Sequence, residues 1–368
     1  MLSAGLPSTR KAIIQDAAGR PIYDEKVPMP TSLDPGMVLI KTAAVAMNPS
    51  DYKLSAAFPS PGAIVGIDFA GTVVALDQGV RDIKPDLGIG DFVCGASHAG
   101  IAGHGAFAQY VVAHAGMLMQ IPQEDGGTTI PTEHAATLAT ALATCTLAFW
   151  GPGQDSLHLE GTPLAPLTAP LPVLVYGGST ATGTIAIQLL RLSGYDPIAT
   201  CSPHNFSLCK SRGASAVFDY KPRDVGIQIK THTKNRLKAV IDCISDEQSV
   251  ETCFSALARV GGRYVSLEFV PEELLSRRKA VKTGFVLAYE ISGQGTKLGG
   301  SYNKEADPKK LELGIRYFSL FEGLLRDRRL VTHPVQSLNS VGLQEVLQGL
   351  KMLQGGTISG KKLVVQLF

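Results

Sequence analysis

The sequence predicts an α/β protein that combines a doubly wound parallel sheet with a second, β-rich domain. Two observations lead to this prediction. Strand-like runs alternate with helical patterns from residue 173 to about residue 300, and short strand-like runs separated by Gly, Pro and Asp occupy the first third of the chain. With 368 residues, the chain is long enough for two domains that each have a core.

The first 150 residues alternate between apolar runs and turn residues. Residues 37–46 and 71–76 are typical of strands, whereas residues 88–93 and 103–112 each read as a turn that leads into a strand. Residues 132–150 are rich in Ala and become helical.

A proline-rich segment, residues 151–172, follows this helix and shows little periodicity. We expect it to form an exposed loop or a linker.

The most informative stretch of the chain is residues 173–191. Val173–Tyr176 is a short apolar run that suits a strand buried on both faces, Gly177 and Gly178 require a tight turn, and a helical pattern begins at Thr184. A strand, a small-residue turn and a helix in this order place a row of backbone N–H groups at a helix N-terminus. Such a row binds anions, and the anion that we expect here is a dinucleotide pyrophosphate.

This turn lacks a strict Gly-x-Gly-x-x-Gly pattern. The hydroxyls of Thr180 and Thr182 could replace it by donating hydrogen bonds to phosphate oxygens. A strand-to-helix connection that binds nothing is the alternative, because glycine-rich turns are frequent in α/β domains.

The end of the second predicted strand, residues 197–201, indicates which dinucleotide is bound. NAD enzymes usually place an Asp or Glu here to hold the ribose 2′-hydroxyl, but Ser202–Asn205 contains no acid. A site without a carboxylate tolerates a 2′-phosphate, which Lys210 or Arg212 could approach, so the sequence predicts NADPH. Tyr220 could stack on the adenosine end.

The remaining elements continue the same alternation. Three further strands, two helices and a C-terminal strand are predicted, at residues 216–218, 237–244, 262–267, 310–330, 341–354 and 361–368.

Composition excludes several function classes. The formal net charge is +2, which gives no strong attraction to nucleic acid or to anionic membranes. No segment is long enough to span a bilayer, and the N-terminus lacks a signal pattern, so we expect a cytoplasmic protein. The six cysteines lack C-x-x-C spacing, which predicts free and mostly buried thiols.

Four motifs in this order resemble the medium-chain dehydrogenase/reductase superfamily: residues 46–51, 66–71, 88–93 and 177–183. The resemblance implies a GroES-like substrate domain over residues 1–140 and 306–368, and a Rossmann-type domain over residues 141–305. The zinc branch of the superfamily has a Cys near the first motif and Gly-His-Glu in the second. Asp51 and Ile67-Asp68 stand at these places here, so the resemblance implies no metal.

A closer similarity is to the trans-acting enoyl reductases of fungal polyketide synthases. It rests on residues 176–182, 192–195, 199–206, 218–220 and 359–365. The resemblance implies an NADPH-dependent reductase of an enoyl group on the acyl carrier domain of a polyketide synthase or hybrid polyketide–peptide synthase. The implied cofactor contacts are Ser50, Asp51, Tyr52, Lys53, Ser179, Thr180, Ala181, Thr182, Ser202, Pro203, His204, Asn205, Tyr220, Leu267, Ser359 and Gly360.

The same resemblance implies a substrate-side helix, and three side chains are candidates for the chemistry. The helix residues are Thr140, Ala141, Leu142, Ala143, Thr144, Cys145, Thr146 and Leu147. Lys53 could position the nicotinamide ribose or deliver a proton, Tyr52 could supply a phenol proton, and Thr144 could donate to the thioester oxygen. Each also has a structural alternative: a loop anchor, a packed wall and a hydroxyl bonded to its own helix.

Two other functions stay open from the sequence. The chain could be a free-standing NADPH reductase of small quinones or enals, or a catalytically silent scaffold that docks on a synthase. Residues 286–302 carry Gly and polar residues where relatives pair through an edge strand, which favours a monomer.

Overall fold

The computed structural model describes residues 5–98, 103–124 and 127–368. The chain divides into two compact units. Unit 1 comprises Met1–Thr140 together with Gly314–Phe368, and unit 2 comprises Ala141–Leu313.

The secondary structure is numbered along the chain. The strands are β1 (Thr9–Gln15), β2 (Pro21–Pro28), β3 (Met37–Ala46), β4 (Asp68–Leu76), β5 (Phe92–Ala96), β6 (Tyr110–His114), β7 (Leu118–Gln120), β8 (Gln123–Glu124), β9 (Gly127–Thr128), β10 (Pro172–Tyr176), β11 (Asp196–Thr200), β12 (Ala216–Phe218), β13 (Ala239–Asp242), β14 (Gly262–Ser266), β15 (Val281–Phe285), β16 (Val335–Ser337) and β17 (Lys362–Gln366). The helices are α1 (Pro49–Ala57), α2 (Val80–Ile83), α3 (Thr132–Ala135), α4 (Ala139–Trp150), α5 (Ala181–Leu192), α6 (Phe206–Ser211), α7 (Val225–His232), α8 (Glu247–Ala256), α9 (Glu272–Leu275), α10 (Pro308–Arg326) and α11 (Glu345–Gln354).

Unit 2 is built on one parallel sheet with the strand order β12-β11-β10-β13-β14-β15. This is the order of doubly wound dinucleotide-binding sheets, so the predicted Rossmann-type fold is confirmed. Strand β10 is buried along its whole length, as its apolar sequence requires. The edge strand β15 was not predicted, because Val281–Phe285 contains a lysine and a glycine and has no clear alternation.

The sequence predicts an exposed loop or a linker for residues 151–172. The segment lies within unit 2, which agrees with a loop of this unit and not with a linker between the units. The longer runs of exposed residues lie in its second half. The first half is fixed by a hydrogen bond that Trp150 Nε1 donates to the Gly161 oxygen at 2.9 Å. The Gly161 nitrogen in turn donates to the Tyr195 hydroxyl at 3.0 Å. These bonds hold the segment against the helix α5–strand β11 connection.

Unit 1 contains the β-rich domain. Its main sheet has the order β16-β17-β3-β4-β5-β7, and β6 also pairs with β3. The C-terminal strand β17 pairs antiparallel with β3, which confirms the predicted return of the chain to a sheet. The core includes Phe69 and Phe107, both fully buried.

Helix boundaries differ in detail from the sequence prediction. The helix expected over residues 132–150 is divided into α3 and α4, and α10 crosses the boundary between the two units. Within the described residues, no helix is long and apolar enough to cross a membrane. All six cysteines are free, and five of them are buried, as predicted.

Candidate active site

The turn between β10 and α5 is tight because glycine is required at two points. Gly177 has a φ of +78°, which favours glycine. A Cβ atom on Gly183 would lie 2.3 Å from the Gly177 oxygen, so only glycine allows the first turn of α5 to approach the strand end this closely. Gly177 and Gly183 therefore allow the tight turn although the strict Gly-x-Gly-x-x-Gly pattern is absent.

Thr180 has a role in this turn that the sequence analysis missed. It is the N-cap residue of α5, and its Oγ1 atom accepts a hydrogen bond from the Gly183 nitrogen at 2.9 Å. Thr180 and Thr182 are both half-buried at the N-terminus of a 12-residue helix. The helix end has the exposure and the partial positive charge that an anion needs.

The predicted cofactor residues of unit 2 come together at one edge of the sheet. The last residues of five neighbouring strands pair with one another in a single row across the sheet: Phe218, Thr200, Tyr176, Asp242 and Ser266. The predicted contacts at residues 179–182, 202–205, 220 and 267 follow directly after this row. Parallel doubly wound sheets bind dinucleotides at this edge.

The second strand ends without a carboxylate in the structure as in the sequence. Pro203–Asn205 forms a 3₁₀ turn in which Pro203 and His204 are exposed and Asn205 is buried. Lys210 is in the last turn of α6 and Arg212 is its C-cap residue. Their approach to a 2′-phosphate stays a prediction.

Asp242 organises the neighbouring strand end, and the sequence analysis assigned it no role. Its buried carboxylate accepts hydrogen bonds from the Ile244 and Ser245 nitrogens, both at 2.9 Å, and from the hydroxyls of Ser249 at 2.6 Å and Tyr264 at 2.8 Å. Burial raises the pKa of Asp242, and these donors oppose the rise.

The hydroxyl of Ser245 extends this network to a predicted cofactor contact. It accepts a hydrogen bond from the Leu267 nitrogen at 3.1 Å. The Asp242 network therefore fixes the backbone at Leu267.

Helix α1 of unit 1 carries the predicted contacts Ser50, Asp51, Tyr52 and Lys53. Ser50 and Tyr52 are half-buried and Lys53 is exposed, whereas Asp51 is 2% exposed. Asp51 Oδ2 accepts a hydrogen bond from the Asn48 nitrogen at 2.6 Å, which closes the start of the helix. Burial raises the pKa of Asp51 to about 8. The Asp51 side chain therefore serves the interior of unit 1, and its contact with a cofactor stays a prediction.

A buried ion pair lies beside α1 and includes Asp68, which stands at one of the places that the zinc enzymes use for a ligand. Asp68 is fully buried and pairs with the Lys362 ammonium, and Asp68 Oδ2 also accepts a hydrogen bond from Asn48 Nδ2 at 2.9 Å. Asp68 is already paired with the Lys362 ammonium, and the raised pKa of Asp51 favours its protonated form. Neither carboxyl group therefore suits a zinc ion, which needs deprotonated ligands. Among the residues described, no group of three or more His, Cys, Asp and Glu side chains could hold a metal.

The predicted substrate-side residues lie on α4. From Ala141 to Leu147 they are buried, with Thr144 6% exposed. Thr146 Oγ1 donates to the Leu142 oxygen of its own helix at 2.8 Å. Cys145 Sγ contacts the Thr182 oxygen at 3.7 Å, so this part of α4 packs against the turn that carries the predicted phosphate contacts.

Ser359 and Gly360 lie in the loop before β17. Ser359 is exposed, and Gly360 has a φ of +64°. The loop leads directly to Lys362, so these residues are adjacent in the chain to the buried ion pair.

Comparisons with known proteins agree with the fold. Residues 34–123 match the family model described as the alcohol dehydrogenase GroES-like domain, and residues 181–311 match the model described as zinc-binding dehydrogenase. The chain is 48% identical over 364 residues to trans-enoyl reductase TwmE of Talaromyces wortmannii, which covers 97% of each chain. It is 40% identical to trans-enoyl reductase ccsC of Aspergillus clavatus, over 98% of this chain and 97% of that protein.

A solved structure extends the comparison of the fold. The quinone oxidoreductase of Coxiella burnetii superposes with a TM-score of 0.69 at 22% identity, over 98% of this chain and 99% of the other.

Proposed function

Because the chain belongs to the trans-enoyl reductases of the medium-chain dehydrogenase/reductase superfamily, we propose that it is an NADPH-dependent enoyl reductase. Its substrate is an α,β-unsaturated acyl thioester on the carrier domain of a polyketide synthase or hybrid polyketide–peptide synthase. We propose that the protein is a monomer and that it is located in the cytoplasm.

One observation carries the cofactor assignment. All predicted contacts of unit 2 follow the carboxyl ends of neighbouring parallel strands, beside a helix N-terminus that begins at Thr180. This arrangement fits a dinucleotide diphosphate. The absence of a carboxylate at Ser202–Asn205 supports NADPH, because an acid there would repel a 2′-phosphate.

The residues present would hold the cofactor through three kinds of contact. Backbone nitrogens and hydroxyls at Ser179–Thr182 would bind the diphosphate, Ser202–Asn205 and Tyr220 the adenosine half, and Leu267 the nicotinamide half. The contacts of Ser50–Lys53, Ser359 and Gly360 of unit 1 with the cofactor stay predictions. A bound nicotinamide supplies hydride to the β-carbon of the enoyl group.

The side chains then have to stabilise charge on the thioester oxygen and supply a proton to the α-carbon. Lys53 is exposed and cationic, so we assign it the positioning of the cofactor ribose or proton delivery. Tyr52 is the second proton candidate. Thr144 is buried, which suits a donor to an oxygen that develops charge.

The proposal is tested with the purified protein in two steps. Fluorescence titrations with NADPH and NADH compare the two cofactors, and we expect NADPH to bind more tightly by at least about tenfold, which is about 1.4 kcal/mol. Turnover is then followed by mass spectrometry with an enoyl thioester on pantetheine and on an isolated carrier domain, using NADPH deuterated at the transferred position. Free quinones and enals are assayed in parallel by the consumption of NADPH.

The outcomes separate the three functions considered. A saturated, deuterated product that forms faster on the carrier domain supports the proposal. Equal or faster turnover of free quinones or enals would favour a small-molecule reductase. Tight NADPH binding with no turnover of any of these substrates would favour a scaffold.

A further inference from the structure

The buried ion pair of unit 1 connects three separate parts of the chain at one carboxylate. Asp68 at the start of β4 pairs with Lys362 of β17. Its Oδ2 atom accepts from Asn48 Nδ2 at 2.9 Å, and its Oδ1 atom accepts from the Thr140 nitrogen at 2.7 Å. Lys362 Nζ also donates to the Thr137 oxygen at 3.3 Å.

Both segments that Asp68 holds carry predicted site residues. Asn48 immediately precedes α1, whose next residues include Tyr52 and Lys53. Thr140 is in the first turn of α4, which carries Thr144. The position of one carboxylate therefore sets the start of both helices.

The burial of this pair is difficult to explain by stability alone. Asp68 is 0% exposed and Lys362 is 4% exposed. Removing two charges from water costs about as much as their attraction returns, so hydrophobic replacement of both partners is often neutral or stabilising. In some proteins a buried polar or ionic group instead fixes a defined arrangement of the groups bonded to it.

We infer that Asp68 and Lys362 are positioning residues for the reduction, and that their pair fixes the start of α1 so that Tyr52 and Lys53 are held in a productive orientation. This inference rests on the proposed function. Small displacements of positioned groups are costly, since an error of about 1 Å can reduce a rate about 100-fold.

The chain offers a matched control. Lys84 of unit 1 forms a partly buried ion pair with Glu322 and donates to the Leu118 oxygen at 3.1 Å, but it contacts neither α1 nor α4 in these bonds. Lys84→Met therefore removes a less buried lysine ion pair of unit 1 without changing a residue bonded to Asp68.

The experiment compares the double variant Asp68→Asn/Lys362→Met with Lys84→Met and the wild-type chain. Three quantities are measured: the melting temperature, kcat and KM for an enoyl pantetheine thioester with NADPH, and amide hydrogen exchange of α1. For the double variant we expect cooperative melting, a kcat reduced about 10- to 100-fold with KM changed less than threefold, and α1 amides that exchange at least about tenfold faster. Lys84→Met should change neither kcat nor the exchange of α1 by more than about twofold.

A wild-type kcat and unchanged α1 exchange in the double variant would overturn the inference. If the double variant does not fold, Asn48→Ser replaces it, because Ser is favoured at a helix N-cap but lacks the amide that donates to Asp68. The same criteria then apply to it. Absence of turnover by the wild-type chain would instead refute the proposed function and take the positioning role with it, so the two failures are distinguishable.

Discussion

Thr180 allows the dinucleotide turn to be tested on stability and affinity at the same time. Its Oγ1 atom caps α5 by accepting from the Gly183 nitrogen at 2.9 Å, and its hydroxyl is also a proposed phosphate donor. Thr180→Val keeps the shape of the side chain and removes both functions. Thr180→Ser keeps both.

The two losses have separate magnitudes. Loss of an N-cap costs about 1 kcal/mol, with a range of about 0.5–2 kcal/mol. For a unit of this size, 1 kcal/mol corresponds to a fall in melting temperature of roughly 2–4 °C. A hydrogen bond to a charged phosphate contributes about 1.5–3 kcal/mol, so the Kd for NADPH should rise at least about tenfold.

The assays are thermal unfolding for stability and NADPH fluorescence titration for affinity, with Thr182→Val as a third variant that leaves the Thr180 cap in place. We expect Thr180→Val to lower both stability and affinity, Thr182→Val to lower affinity with less effect on stability, and Thr180→Ser to resemble the wild type. Unchanged stability of Thr180→Val would refute the cap. Unchanged affinity in both Val variants would refute the phosphate contacts.

Three further perturbations test other parts of the structure. From about pH 4 to pH 8, Asp51 is protonated in the folded state and loses this proton on unfolding. Its contribution to the free energy of unfolding therefore falls by up to about 1.4 kcal/mol per pH unit as pH rises. Asp51→Asn should remove this slope in urea unfolding measured across that range. Gly183→Ala places a Cβ atom 2.3 Å from the Gly177 oxygen and should lower the free energy of unfolding by about 1–3 kcal/mol. The melting temperature should therefore be lower, and NADPH should raise it by less than it raises that of the wild type. Tyr264→Phe removes a donor 2.8 Å from buried Asp242 and should cost about 1–3 kcal/mol in urea unfolding, whereas an unchanged midpoint would contradict the role of this bond.

The sequence predicted the elements whose signals are local. The apolar run Val173–Tyr176 between Pro and Gly identified β10, the two glycines after it identified the turn, and the helical pattern from Thr184 identified α5. The edge strand Val281–Phe285 was missed because an edge strand needs no continuous apolar run, and its lysine and glycine remove the pattern.

The roles of Asp242 and Lys362 could not be read from the sequence for a different reason. Lys362 and Asp68 are 294 positions apart, and their contact exists only because β17 pairs with β3, which pairs with β4. Lysine is almost never fully buried, so composition alone places Lys362 at the surface. Asp242 at a strand end is equally compatible with an exposed loop until Tyr264 and Ser249 are placed around it.

The charges beside α1 balance without help from solvent. Asp68 carries a negative charge that Lys362 neutralises, and burial raises the pKa of Asp51 to about 8, so Asp51 is mostly protonated at neutral pH. Two carboxyl groups and one ammonium therefore form a cluster with almost no net charge, as a low-dielectric interior requires. A third charged group in this cluster would have to displace Lys362 or deprotonate Asp51. The residues that replace the zinc ligands of related enzymes thus favour a buried scaffold for α1 over a cation site.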